Sequence, residues 1–278
     1  MKFLSCILSL MVILSNGTAL AGVSAARGEY LVEGLMGCGN CHTPIGASGF
    51  IMEQNLGGRL VEDIDAFTAY APNITPYSRI VTWSDAELSK AIREGIRPDG
   101  SIIGPPMPFA SYRYLSDNDL ASVVMYLRSV PEVINSVPKS KYRIPLPPAY
   151  GPPLIQVNEP KNDISARHGE YIAMAAHCME CHSPMGPKGV DWKNSFGKGG
   201  MEFHGPWGVS VSSNITNHRD GLADYSDQEI KVMVTQGKRP DGSDMLPPMP
   251  YSYLSKMNPV DLEALVLYLR QLPALASE

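Results

Sequence analysis

The pattern of apolar positions along the chain predicts a closing helix in each half. Two segments carry apolar residues at positions i, i+3, i+4 and i+7, a spacing that places them on one face of an α-helix. These residues are Leu120, Val123, Val124 and Leu127 in the first segment, and Leu262, Leu265, Val266 and Leu269 in the second. We therefore expect both helices to bury this face in a core.

Residues typical of helix ends predict a further helix before the closing helix of each half. Two four-residue runs have the form of a capping box, Ser84-Asp85-Ala86-Glu87 and Ser226-Asp227-Gln228-Glu229. Gly95 and Gly237 lie where these helices should end. Helices over residues 25–37 and 167–177 are also expected, and no stretch shows strand-like alternation of useful length. The pattern as a whole predicts an all-α fold.

The two halves of the chain are copies of one another. Short motifs recur at an offset of 140 to 142 residues, and a fixed period of this size indicates two copies of one domain. The first copy contains Gly28-Glu29-Tyr30, Asn73-Ile74-Thr75, Arg97-Pro98-Asp99-Gly100, Pro105-Pro106-Met107-Pro108 and Tyr126-Leu127-Arg128. The second contains Gly169-Glu170-Tyr171, Asn214-Ile215-Thr216, Arg239-Pro240-Asp241-Gly242, Pro247-Pro248-Met249-Pro250 and Tyr268-Leu269-Arg270.

A proline-rich segment separates the copies. Residues 131–160 contain eight prolines, and this density blocks helix and favours extended, semi-rigid chain. We predict a domain over 22–130, a linker over 131–160 and a second domain over 161–278, each domain long enough to form its own core. The linker is expected to be an ordered strap packed on a domain surface, with a flexible tether as the alternative.

The first 21 residues have the composition of a secretory signal peptide. Lys2 is followed by an apolar stretch through Leu14 and by the small-residue ending Ala19-Leu20-Ala21. A retained membrane anchor is the alternative, although the apolar run is interrupted and short for spanning a bilayer. We expect export to the periplasm. The formal net charge of −5 and the lack of a basic stripe argue against nucleic acid as a partner.

Two Cys-x-x-Cys-His motifs supply the strongest chemical signal. They are Cys38-Gly39-Asn40-Cys41-His42 and Cys178-Met179-Glu180-Cys181-His182. This spacing is typical of covalent c-type haem attachment, in which both cysteines bond to the haem and the histidine binds the iron. A redox dithiol or half of a zinc site would not require the histidine. We therefore predict two covalent haem c groups, with His42 and His182 as axial ligands. The fifth cysteine, Cys6, lies within the expected signal peptide.

A second axial ligand is expected from methionine. The first copy has no histidine besides His42 and no cysteine outside its motif, which leaves methionine as the strong candidate. Met107 is the one first-copy methionine with a counterpart in a repeated motif, Met249, and the flanking prolines should hold each thioether in place. In the second copy, His204, His218 and Met245 remain alternatives.

Other side chains are weaker candidates for contacts with haem. Those able to hydrogen-bond haem propionates are Arg59, Trp83, Arg97, Arg239 and Trp207, although surface ion pairs or core packing would explain each equally well. Pro44 and Pro184 are candidates to supply the carbonyl that orients each axial imidazole. His168 and His177 are expected to be exposed.

The motifs together resemble the multi-haem cytochrome c subunits of periplasmic alcohol, gluconate and aldehyde dehydrogenases, such as those of acetic acid bacteria. The resemblance covers nearly all of the chain after residue 21. It depends on Cys41-His42-Thr43-Pro44, Cys181-His182-Ser183-Pro184, Pro72-Asn73-Ile74-Thr75-Pro76, Trp83-Ser84-Asp85, Arg97-Pro98-Asp99-Gly100, Pro105-Pro106-Met107-Pro108 and the linker residues 137–148. It implies two tandem class I cytochrome c-like domains, each with one haem and with His and Met as axial ligands.

The resemblance also implies a role in electron transfer without catalysis. The expected donor is a periplasmic dehydrogenase, whether a quinoprotein, a flavoprotein or a molybdoprotein, and the expected acceptor is a downstream cytochrome or a terminal oxidase. The alternative is a dihaem redox enzyme of the peroxidase or thiosulfate dehydrogenase type.

The chain departs from the best-known members of this group in haem number. They carry three haem domains, whereas this chain has two motifs and no amphipathic anchor after Pro273. We therefore expect membrane association to be peripheral at most. The surface loops at 46–72 and 186–213 differ most between the copies and are candidates for the docking face.

Overall fold

A computed structural model describes residues 22–186 and 189–277 of the chain. Helix accounts for 36% and strand for 12% of the structure, and the strands form several antiparallel sheets. The prediction of an all-α fold is therefore wrong. The segment read as a signal peptide lies outside the described residues.

The helices follow the same order in both halves of the chain. Those of the first half are α1 (Ala25–Tyr30), α2 (Gly39–His42), α3 (Asp85–Glu94), α4 (Phe109–Tyr112) and α5 (Asp117–Ser129). Those of the second half are α6 (Ala166–Ala175), α7 (Cys178–His182), α8 (Asp227–Gln236), α9 (Tyr251–Leu254) and α10 (Pro259–Gln271). A π-helical turn, Leu31–Leu35, continues α1, and 3₁₀ turns cover Met52–Gln54 and Arg79–Thr82.

Short antiparallel strands lie between the second and third helices of each half. The first half contains β1 (Ile45–Gly46), β2 (Gly49–Phe50), β3 (Arg59–Ile64) and β4 (Phe67–Ala71), and the linker adds β5 (Lys141–Tyr142). The second half contains β6 (Met185–Gly186), β7 (Gly189–Val190), β8 (Glu202–Gly205) and β9 (Gly208–Val211). The sheets have the orders β1-β2, β3-β4-β5, β6-β7 and β8-β9.

Their side chains explain why the hairpins carry so weak a sequence signal. Strand β4 alternates buried and partly buried residues over five positions, but its partner β3 has mostly exposed side chains. In the second half, strands β8 and β9 together expose most of their side chains. A strand without a buried face shows no apolar alternation, so pairing with its neighbour rather than burial holds it in place.

The helical predictions from caps and apolar stripes are confirmed. Ser84 and Ser226 each form a complete capping box, and α3 and α8 end at glycines with a left-handed backbone, Gly95 at φ +70° and Gly237 at φ +62°. The apolar stripe of α5 is buried throughout, as is that of α10 apart from the half-buried Leu262. The buried residues of both halves join in one apolar cluster.

The first and last helices of each half pack with their backbones in close contact. A side chain at Gly28 in α1 would collide with the Ser122 carbonyl and would place its Cβ 2.7 Å from Cβ of Tyr126, both in α5. Gly169 in α6 meets Ala264 and Tyr268 in α10 in the same way, again with a 2.7 Å approach to the tyrosine Cβ. Glycine therefore sets the distance between these helices.

Replacing either glycine with alanine should destabilise the protein. Because each Cβ would meet backbone atoms that cannot rotate away, we expect a loss of about 2 kcal/mol or more in the free energy of unfolding for Gly28→Ala or Gly169→Ala. Chemical denaturation would measure it. Gly34→Ala is the matched control, since Gly34 lies in the helical turn that continues α1 and a Cβ there would meet only ordinary contacts, the nearest at 3.5 Å. An unchanged Gly28→Ala variant would contradict the packing argument.

The linker is anchored along the first half, as a strap would be. Asn73 donates from Nδ2 to the Val133 carbonyl at 2.7 Å, and Val133 itself is buried. The hydroxyls of Tyr142 and Tyr150 donate to the carbonyls of Pro105 and Ile103, both at 2.9 Å. Two other apolar linker residues do not pack as expected, because Ile134 and Ile144 are exposed.

A reciprocal pair of tyrosines joins the two halves. The Tyr30 hydroxyl donates to Asp261 in α10 at 2.6 Å, and the Tyr171 hydroxyl donates to Asp119 in α5 at 2.6 Å. These tyrosines close the repeated Gly-Glu-Tyr motif, so one motif serves both sides of a pseudo-symmetric interface. Both acceptor carboxylates are buried, and a buried carboxylate needs such donors.

The prediction that His168 and His177 are exposed is wrong. His168 is 3% exposed and lies with Nε2 2.7 Å from Oδ1 of Asp261. Burial alone would raise the pKa of Asp261, but hydrogen bonds from His168 and Tyr30 hold this pKa below its usual value. His177 is half-buried, and its Nε2 donates to the Met36 carbonyl of the other half at 3.3 Å. Patterns within one copy carry no information about which surface faces the other.

Candidate functional site

Each Cys-x-x-Cys-His motif forms one short helical turn. In α2, the His42 N–H donates to the Cys38 carbonyl at 2.9 Å. Residues at i, i+3 and i+4 of such a turn lie on one face, so Cys38, Cys41 and His42 face the same side. All four cysteines of the two turns are half-buried and unpaired. The backbone thus gathers two sulfurs and one imidazole in each half.

The orientation of the imidazole in each motif is fixed by a distant backbone carbonyl. His42 Nδ1 lies 2.7 Å from the Pro72 carbonyl oxygen, and His182 Nδ1 lies 2.7 Å from that of Ser213. A carbonyl can only accept, so Nδ1 carries the proton in both rings and Nε2 is left with a free lone pair. The prediction that Pro44 and Pro184 supply these carbonyls is therefore wrong.

The acceptor carbonyls are held by the repeated Asn-Ile-Thr motif, whose role the sequence reasoning missed. Asn73 Oδ1 accepts from the backbone N–H of Thr75 at 2.9 Å and from its hydroxyl at 2.8 Å, and all these groups are buried. Asn214 holds Thr216 in the same way, at 2.9 and 2.7 Å. In the sequence, this role is indicated only by the recurrence of Asn-Ile-Thr in both copies, directly after the residue whose carbonyl accepts from the histidine.

Burial favours the uncharged forms of the cysteine and histidine side chains in both motifs. It lowers the pKa of His42 to about 4 and also lowers that of His182, so both imidazoles are neutral at pH 7 and can bind a metal. Burial also raises the thiol pKa of Cys38, Cys178 and Cys181 to about 12, and raises that of Cys41. An uncharged thioether suits such surroundings, whereas a free thiolate does not.

Met107 and Met249 occupy equivalent places in the two halves. Both are half-buried and pack against the apolar cluster, as do Cys38 and Cys178. Each precedes a short helix, α4 or α9, whose first N–H donates back to the methionine carbonyl at 2.9 Å. The proline-proline bond before each methionine is cis. The structure thus places both methionines against the core, each two residues before a short helix.

The alternative ligands of the second half have other partners or surroundings. The His204 side chain is 71% exposed and its Nε2 is 3.6 Å from a carboxylate oxygen of Glu202. His218 Nδ1 accepts the Asp220 N–H at 3.1 Å. Met245 packs against the apolar cluster as Met249 does, so it remains the alternative with a suitable location.

Two buried polar atoms support a prosthetic group with anionic substituents. Arg59 Nε and Trp207 Nε1 have no hydrogen-bond partner among the described residues, and buried donors of this kind are uncommon in native proteins. Arg59 lies at the first motif, where its Nη2 donates to the Asn40 carbonyl at 2.8 Å. Arg59 therefore has a free donor at the first motif, which fits the expected contact with a haem propionate, whereas the free donor of Trp207 lies in the turn between β8 and β9.

Other candidates have local structural roles. Arg97 and Arg239 each fold back onto their own Arg-Pro-Asp-Gly turn, donating to the carbonyls of Ile102 at 2.7 Å and Asp244 at 2.8 Å. Trp83 packs against the apolar cluster and below the Arg79 guanidinium. Taken together, the cysteines, neutral imidazoles, thioethers and free donors fit a haem c group in each half. Within the described residues, no group of three or more histidine, cysteine, aspartate or glutamate side chains is arranged to hold a metal ion.

Comparison with known proteins identifies relatives among cytochromes. The chain is 29% identical over 91% of its length to the fructose dehydrogenase cytochrome subunit of Gluconobacter japonicus. It is 28% identical over 89% of its length to the cytochrome c subunit of the quinone alcohol dehydrogenase of Gluconobacter oxydans. It is 28% identical over 94% of its length to a dihaem c-type cytochrome of Cereibacter sphaeroides. These matches confirm the resemblance to cytochrome c subunits of dehydrogenases.

The relatives differ in how much of their own length is matched. The chain spans 53% of the fructose dehydrogenase subunit and 54% of the alcohol dehydrogenase subunit, but 90% of the dihaem cytochrome. No protein family model matches the chain. None of the described helices is both long and apolar enough to cross a membrane.

Proposed function

Because the chain is similar to cytochrome c subunits of dehydrogenases and to a dihaem cytochrome c, we propose that it is a dihaem cytochrome c that transfers electrons without catalysis of its own. Residues 22–130 and 161–278 would each hold one haem, with 131–160 as the strap between them. The donor would be a periplasmic dehydrogenase, and the acceptor a downstream cytochrome or terminal oxidase of the respiratory chain.

One observation supports this proposal above the others. In both halves, a histidine next to a Cys-x-x-Cys pair donates from Nδ1 to a backbone carbonyl at 2.7 Å, which orients Nε2 as a metal ligand. Cys38 and Cys41 would hold the first haem, and Cys178 and Cys181 the second. His42 with Met107, and His182 with Met249, would be the axial ligands.

The contribution of the protein is to hold and tune these groups. When bound, the two haems would supply one-electron redox chemistry. A methionine thioether opposite an imidazole raises the reduction potential, and filling both axial positions denies a small substrate access to the metal. Both features suit an electron carrier rather than a peroxidase.

The proposal is tested by isolating the tagged protein from its native host. We expect two covalent haems per chain, a dehydrogenase in the same eluate, and reduction of the haems when the substrate of that dehydrogenase is added. A chain without haem would refute the proposal. So would turnover of peroxide or thiosulfate by the purified dihaem protein at rates typical of an enzyme.

A further inference from the structure

The short helix that follows each methionine loop contacts the opposite half of the protein. Helix α4 packs on α6 and on the haem-motif turn α7, and α9 packs on the π-helical turn that leads to the first haem motif. Ser111 in α4 and Tyr253 in α9 occupy equivalent positions, 142 residues apart. Each lies four residues after its methionine, Met107 or Met249.

Ser111 holds a carboxylate inside the second haem motif. Its hydroxyl donates to Oε1 of Glu180 at 3.0 Å, and its backbone N–H reaches the same oxygen at 3.2 Å. Ser111 is fully buried, and Glu180 lies between Cys178 and Cys181. A carboxylate in this position requires such donors, and here both come from the other half of the chain.

Tyr253 makes the reciprocal contact with the first haem motif. Its hydroxyl occupies the space that a side chain at Gly39 would need, and Oγ1 of Thr43, the residue after His42, borders the same space. Its ring lies edge-on to Phe50 of the same half as the motif, with ring centroids 5.9 Å apart. The segments that lead into the two motifs are also joined, because His177, the residue before Cys178, donates from Nε2 to the carbonyl of Met36, two residues before Cys38.

We infer that Ser111 and Tyr253 are positioning residues, each of which acts on the haem site of the opposite half. This inference rests on the proposed function. Each methionine loop is joined through a single helical turn to the motif that would hold the other haem. Each residue therefore supports the motif of the opposite half from the methionine loop of its own half.

Tyr253→Phe tests the contact of Tyr253 with the first haem motif, because it removes the hydroxyl and keeps the ring. We expect the potential of the haem held by Cys38 and Cys41 to shift, and its methyl resonances in the ferric NMR spectrum to move. The other haem, held in the half that contains Tyr253, should keep both properties. Tyr251→Phe is the matched control, since Tyr251 lies in the same helix but contacts Gly237 of its own half.

Ser111→Ala tests the contact of Ser111 with Glu180 in the second haem motif, and this test is independent of Tyr253→Phe. With one donor lost, the negative charge of Glu180 is less neutralised and favours oxidised iron, so we expect the potential of the haem held by Cys178 and Cys181 to fall. Ser122→Ala is the control, because this buried serine bonds to Ser24 and Asn118 of its own half. Met107→Ala and Met249→Ala assign each potential to its haem.

The inference is overturned if neither substitution changes either haem, or if each change falls on the haem of the substituted half. Either result would leave the proposed function intact, because the wild-type protein would still contain two haems and accept electrons from its dehydrogenase. A wild-type protein that lacks two haems would instead refute the proposed function.

Discussion

Replacing His42 or His182 with alanine should reduce the haem content of the purified protein from two groups per chain to one. Each imidazole is held by a carbonyl at 2.7 Å, so no neighbouring histidine could take its place without rebuilding the loop. The half that loses its haem would also expose the apolar lining around its cysteines. We therefore expect lower yield and earlier thermal unfolding as well as the missing haem.

The haem content would be measured by the pyridine haemochrome assay and by the mass of the intact chain. His204→Ala is the matched control, because the His204 side chain is 71% exposed and pairs with a surface carboxylate. It should retain two haems and the wild-type spectrum. Two haems with unchanged spectra in either His42→Ala or His182→Ala would exclude that histidine as the axial ligand.

The sequence was most informative where one residue type performs one local task. Ser84 and Ser226 cap helices through contacts within four residues, and Gly95 and Gly237 end them, so a short window contains the whole cause. The Cys-x-x-Cys-His turns are local for the same reason. These features could be predicted without knowing the fold.

The hairpins and the carbonyls that orient the histidines could not be predicted in this way. Strand β3 has mostly exposed side chains and pairs with β4 through its backbone, which leaves little trace in the residue types. Pro72 lies thirty residues from His42, and any residue can supply a carbonyl. A backbone acceptor cannot be recognised from the residue type, which is why the prediction that the nearer Pro44 and Pro184 supply these carbonyls is wrong.

The interface between the halves could not be predicted from the pattern of either copy alone. Tyr30 and Tyr171 belong to a repeated motif, yet their hydroxyls bond to the opposite copy. His168 occupies the place of Arg27, and each pairs with a buried aspartate of its own half. Repetition in a sequence shows that a position matters in both copies without showing which copy it contacts.

Replacing Met107 or Met249 with alanine should lower the potential of one haem and open that haem to external ligands. A thioether favours ferrous iron, and because axial ligands and their surroundings span roughly 0.8 V in haem proteins, we expect a fall on the order of 0.1 V. The vacated position should then bind carbon monoxide in the reduced state or cyanide in the oxidised state. The wild-type protein should resist both.

Potentiometric titration and carbon monoxide difference spectra would measure these effects. Met125→Ala is the control for loss of a methionine, since Met125 is exposed on α5 and has no methionine counterpart in the second copy. Met245→Ala tests the competing ligand of the second half, because Met245 packs against the same apolar cluster. If Met245→Ala lowers a potential and Met249→Ala does not, the ligand is Met245. If Met107→Ala changes neither potential nor ligand binding, the symmetry between the two repeated loops does not extend to their chemistry.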